Sequence, residues 1–150
     1  MHPEKEQDRP DPVAYGRGIA PGLGINLLVS SVDRAARFQA SVLGARIEYW
    51  EEHFAVMSAV GSTWLLHSDW SYRNHEMLSA VTGLQARGGG VELRLYGVDP
   101  DKAEAAARLS GATILATTAD KPHGIREVYI VDDDGYVWVP CRPTPSNSTE

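Results

Sequence analysis

The chain has 150 residues and sets 14 Lys and Arg against 20 Asp and Glu, a formal net charge of −6, which argues against a nucleic-acid partner, since that would need clustered Lys and Arg. With 43% hydrophobic and 23% charged residues it is neither a disordered chain nor a fibrous repeat. Its one cysteine, Cys141, excludes an intrachain disulfide and suits a reducing, cytoplasmic setting, and no apolar run nears the ~20 residues that span a bilayer, so no membrane partner is expected.

Residues 1–21 mix charge with Pro10, Pro12 and Pro21 and lack the apolar stretch of a signal peptide, so they read as a flexible tail. Residues 143–150 read as a second tail, leaving one domain over 22–142. That domain opens on a β-rich run at 24–29. A helix follows, capped by Ser31 and closed by Gly44, and then strands over 45–49 and 54–59. Gly61 turns the chain into a last strand carrying Trp64, Leu65 and His67.

A connector over 68–90 holds Trp70, Tyr72, His75 and Met77, fits a short helix at 76–81, and ends in Gly88-Gly89-Gly90. So long an aromatic loop is a lid over a ligand, an interface element between two chains, or a packed crossover that clips the modules together. The plan then repeats: a run at 91–96, a helix capped by Asp99 with Pro100 in its first turn and Gly111 at its end, and strands over 112–115 and 126–131. Gly135 stands three residues before Trp138, as Gly61 does before Trp64. Each half is β-α-β-β-β, module one over 22–87 and module two over 88–142. Such duplication joins two units that cannot each close a core alone.

Strand alternation assigns faces. Leu93 and Leu95 are expected to cover the second helix, which turns Glu92, Arg94 and Tyr96 to the opposite face of the sheet. Asn26, Leu28, Thr63, Leu65, His67, Val137 and Val139 share that face, with Trp64 and Trp138 aimed at the helices. Glu92 and Arg94 are expected to pair, either as a structural ion pair or as part of a cleft. His53 falls in a turn and His75 in a loop, both read as solvated; His2 lies in the tail. No phosphate-cradling glycine motif and no nucleophile elbow is present, and Cys141 has no nucleophile's surroundings.

Three strings carry a resemblance. They are Val29-Ser30-Ser31-Val32-Asp33-Arg34-Ala35-Ala36-Arg37-Phe38 with Val42-Leu43-Gly44-Ala45, then Pro122-His123-Gly124-Ile125-Arg126-Glu127 with the preceding Gly111-Ala112, and Asp132-Asp133-Asp134-Gly135-Tyr136. In order and spacing the chain resembles the vicinal oxygen chelate superfamily, the glyoxalase, bleomycin-resistance and extradiol dioxygenase fold, over nearly all of 24–140. Asp133 stands where that family's signature has proline. The resemblance implies an α+β fold of two βαβββ modules curled into a half-open barrel around a concave cleft, and frequently a homodimer.

The resemblance also implies metal ligands at four strand positions, which here are Gly24, Leu65, Glu92 and Val139. Three lack donor atoms, and one carboxylate does not hold a transition metal well. The expected cofactor is therefore none, unless Asn26, His67 and Glu92 form a displaced divalent site. Two readings follow. One is a protein that binds a small organic molecule without a metal between its modules, with Asn26, His67, Trp70, Tyr72, Glu92, Arg94 and Tyr96 as candidate ligand-binding residues. The other is an enzyme of the superfamily, a metal-dependent lyase, isomerase or dioxygenase with displaced ligands, or a metal-free catalyst with Glu92 as general base. Arg94 would pull the pKa of such a base the wrong way.

Overall fold

Helix ends fall where the capping residues put them in the computed structural model, which describes residues 11–146. Ser31 Oγ accepts the Arg34 amide at 3.2 Å to start α2 (Val32–Leu43), and Gly44 ends it at φ 68°. Asp99 accepts the amides of Asp101 and Lys102 ahead of α4 (Pro100–Ser110), whose terminator Gly111 has φ 74°. Each such side-chain cap is worth about 1 kcal/mol.

Strand β1 (Asn26–Val29) precedes α2, and β2 (Arg46–Glu51), β3 (Phe54–Ala59) and β4 (Ser62–Ser68) follow it in a sheet ordered β1-β4-β3-β2. Strand β5 (Glu92–Tyr96) precedes α4, and β6 (Thr113–Asp120), β7 (Ile125–Val131) and β8 (Val137–Pro143) follow in the matching order β5-β8-β7-β6. The repeated βαβββ plan is thus present. The pairing of first and last strand is parallel in both sheets, which the intervening helix makes possible. The sheets do not close on each other, giving the expected α+β half-open arrangement.

One core serves both halves. Leu27, Val29, Trp64 and Leu66 of the first sheet and Leu93, Leu95, Ile130 and Trp138 of the second bury against α2 and α4. The two indoles meet across it at 5.5 Å between centroids, as their alternation predicts. Trp64 Nε1 donates to the buried Gln39 Oε1 at 2.9 Å, and Trp138 Nε1 to Asp132 Oδ2 at 3.0 Å, so neither buried N–H is orphaned.

The connector returns to the core at its C-terminal end, while most of its middle is exposed. It runs through a 3-10 turn (Asp69–Tyr72) and α3 (Glu76–Val81), then returns to the core at Arg87. Arg87 grips Asp69 through two bonds of 2.7 and 2.8 Å and donates to the Leu28 carbonyl at 3.2 Å. Tyr136 Oη reaches the same carbonyl at 2.8 Å, and the Ser30 amide donates to Asp134 Oδ1 at 3.1 Å, tying β1 to the β7–β8 turn. Gly135 holds that turn at φ 84°, where a Cβ would sit 2.3 Å from the Gln85 carbonyl.

Several boundaries differ from expectation: β1 starts at Asn26, β2 runs on to Glu51, and β6 runs on to Asp120, five residues past its expected end. Residues Pro12–Arg17, inside the stretch read as tail, form α1, because Asp11 accepts the Val13 amide at 3.0 Å and Pro12 presets the first turn. Strand β8 takes in Pro143, placed in the C-terminal tail by composition. Residues 1–10 and 147–150, His2 among them, lie outside the described part.

Candidate functional site

Registry between β1 and β4 sets Asn26 opposite Leu65 and Leu28 opposite His67, so Asn26 and His67 share one face of the sheet. They bond directly, Asn26 Oδ1 to His67 Nδ1 at 2.6 Å, and Asn26 Nδ2 donates to Tyr72 Oη at 2.7 Å. The Tyr72 ring also meets His67 edge-on at 5.3 Å and His75 at 4.9 Å. Burial pushes the His67 imidazole below its usual 6.5, and the charge of Glu51 draws it partway back. His67 is therefore neutral at pH 7.

That imidazole lies in the wall of a cavity of about 780 Å³. Such a volume suits a drug-sized molecule. The first sheet supplies Tyr49, Phe54, Leu65 and His67; the β2–β3 turn and the connector supply His53 and Trp70; α1 closes the rim with Tyr15. Rings run continuously along the wall, Tyr49 to Phe54 at 5.9 Å and Phe54 to His67 at 4.9 Å. Trp70 is held in place, stacked on His53 at 4.3 Å with the Arg73 guanidinium 3.8 Å from its centroid.

Module two builds a different face. Arg94 Nη1 donates to Glu92 Oε2 at 2.9 Å, Arg94 Nη2 donates to the buried Glu127, and Tyr129 Oη donates to Glu92 Oε1 at 2.8 Å. Hydrogen bonds from Tyr129 and Arg94 hold Glu92 below the usual carboxylate range. Burial works against the Arg94 charge, yet the bonds to Glu127, Glu92 and Tyr129 hold its pKa above the ordinary value. A general base at Glu92 would need the opposite shift. Tyr96 is 61% exposed beside this cluster, and burial pushes the Cys141 thiol up.

The candidate residues therefore separate into two groups. Asn26, His67, Tyr72 and Trp70 come together; Glu92, Arg94 and Tyr96 come together; no hydrogen bond, ion pair or ring contact joins the groups among the described residues. The cavity lies in module one beneath α1, not between the modules. Of the seven candidates, His67 and Trp70 line it, while Asn26 bonds His67 and Tyr72 meets its ring edge-on. Leu28 and Val139, expected to face a cleft, are 2% and 0% exposed. His53, read as solvated, bonds Ser68 Oγ at 2.9 Å and lines the cavity. Reasoning from sequence missed Tyr15 on α1, although Asp11-Pro12 carries the same start signal as Asp99-Pro100.

The metal that the resemblance implies does not fit these residues. Asn26, His67 and Glu92 do not assemble, and no group of three His, Cys, Asp or Glu side chains able to hold an ion occurs among the described residues. No helix among them is long and apolar enough to cross a membrane.

No family model matches the sequence, and no curated protein matches it. Solved structures do. A glyoxalase/bleomycin resistance protein/dioxygenase from Nocardioides is 17% identical over 92% of this chain and 94% of its own, with a TM-score of 0.61. TioX from Micromonospora sp. ML1 is 19% identical over 85% and 100%, at 0.59. The fosfomycin resistance protein FosX from Listeria monocytogenes is 15% identical over 84% and 95%, at 0.61. At these identities the likeness establishes the fold.

Proposed function

We propose that this chain, built on the vicinal oxygen chelate fold, holds a small organic molecule in the cavity beneath α1 without a metal ion. The observation that carries the reading is the aromatic cavity itself, in which half of the lining residues bear aromatic rings and no cluster of metal donors is gathered among the described residues. Apolar walls supply the driving force by shedding water, and a few polar groups fix orientation. The enzyme reading has less behind it, because Glu92 is tied to Arg94 and Tyr129 as an ionised carboxylate. The homodimer expected from the resemblance belongs to the same proposal, and light scattering that finds only monomer at micromolar protein removes it.

A fragment screen by ligand-observed NMR tests the site. Hits are expected to vanish in Leu65→Trp, which fills the cavity from β4, and to survive in Glu92→Gln. Hits that survive Leu65→Trp and vanish in Glu92→Gln would move the site to module two.

A further inference from the structure

Asn26 has one acceptor and one donor group in its side chain, and both are committed. Its Nδ2 donates to Tyr72 Oη, so its Oδ1 receives, and the group that donates to it is His67 Nδ1–H. A neutral imidazole carries one N–H, so His67 Nε2 keeps its lone pair. No described residue donates to that nitrogen. The imidazole thus stands in an aromatic wall as a fixed acceptor, braced by Tyr72 on one side and Phe54 on the other.

Resting on the reading of the cavity as a binding site, we infer that His67 Nε2 selects planar aromatic ligands that carry a ring N–H or O–H donor. Rings of the wall take the ligand's face or edge, and the acceptor sets its rotation. A planar molecule without a donor covers the half-buried acceptor, leaves it unpaired and gives up the hydrogen bond it otherwise forms with water. Burial of the imidazole supports the inference, since it disfavours the protonated ring that would donate instead of accept.

Indole and 1-methylindole make the matched probes, differing only in the donor and a methyl group. Calorimetric titration of the full chain at pH 7.5 is expected to give indole about tenfold tighter binding than 1-methylindole, the fold-change of one well-placed hydrogen bond. In His67→Phe, which keeps a ring in the wall and removes the acceptor, the two probes are expected to bind alike. A thermal melt of that variant verifies its fold. Should it fail to fold, Asn26→Ala, which frees the imidazole to turn over, is expected to shrink the indole preference instead. Equal binding of both probes to the wild type overturns the role of His67 while leaving the cavity as a site. Binding of neither probe overturns the aromatic-donor class, and the fragment screen then judges the cavity independently.

Discussion

The same strand positions are put to opposite uses in the two modules. Aligned on Trp64 and Trp138, Leu28 pairs with His67 where Tyr96 pairs with Cys141, and Asn26 pairs with Leu65 where Arg94 pairs with Val139. Phe54 stands opposite His67, whereas Glu127 stands opposite Cys141. In module two that exchange places a buried carboxylate beside a guanidinium, and the polar groups satisfy one another. In module one it places a phenyl ring beside an imidazole whose second nitrogen stays available. The same strand positions thus carry an ion-paired cluster in one half and an aromatic wall in the other, through exchanges at several aligned positions.

The largest expected effect breaks the ion-paired half. Glu127→Ala removes the buried one of the two carboxylates that pair with Arg94, whose side chain is 20% exposed, and is expected to cost about 2 kcal/mol in urea unfolding while leaving binding in the cavity unchanged. A cost below about 1 kcal/mol would mean that the pair contributes no more than a surface ion pair.

Next comes the aromatic half. Asn26→Ala removes two hydrogen bonds from exposed side chains and is expected to cost about 1 kcal/mol of stability, with a several-fold loss of the indole preference. The expected contrast is a loss of stability with unchanged cavity binding from module two, and a loss of indole preference with little change of stability from module one.

Acidity sharpens the same comparison. The folded pKa of His67 lies below 6.5, so its contribution to stability is fully present above pH 6.5. As pH falls below that value, the unfolded chain takes up a proton that the folded chain resists, and stability declines down to the folded pKa. His67→Phe is expected to remove that segment of the curve, measured by urea unfolding from pH 7.5 to 5.

The smallest effect concerns α1. None of its residues is buried, so Tyr15→Ala is expected to change stability by less than about 0.5 kcal/mol, yet to weaken cavity binding because Tyr15 forms part of the rim. An unchanged Kd would exclude α1 from the site.

Much of this architecture is legible in the amino-acid sequence alone. Ser31, Gly44, Asp99, Pro100 and Gly111 mark both helices because capping is local chemistry, and period-two alternation turns both tryptophans to the core. Alternation also puts Asn26 beside His67 and Glu92 beside Arg94. It does not say that these pairs lie apart, because face is a property of one strand whereas the distance between sheets depends on how the modules pack. The cavity escapes the sequence for a related reason. It is made by α1, the β2–β3 turn and the connector, whose sequences read as tail and loop, and their meeting over the first sheet is a long-range contact with no sequence period.

The most direct test is a two-bond nitrogen–proton correlation spectrum of the histidines, with His67 assigned by its substitution. At pH 7 it is expected to show His67 neutral with the proton on Nδ1, and its Nε2 resonance is expected to move when indole is added. A proton on Nε2, or an Nε2 resonance that stays still while indole binds, would contradict the claim that module one presents this nitrogen to its ligand.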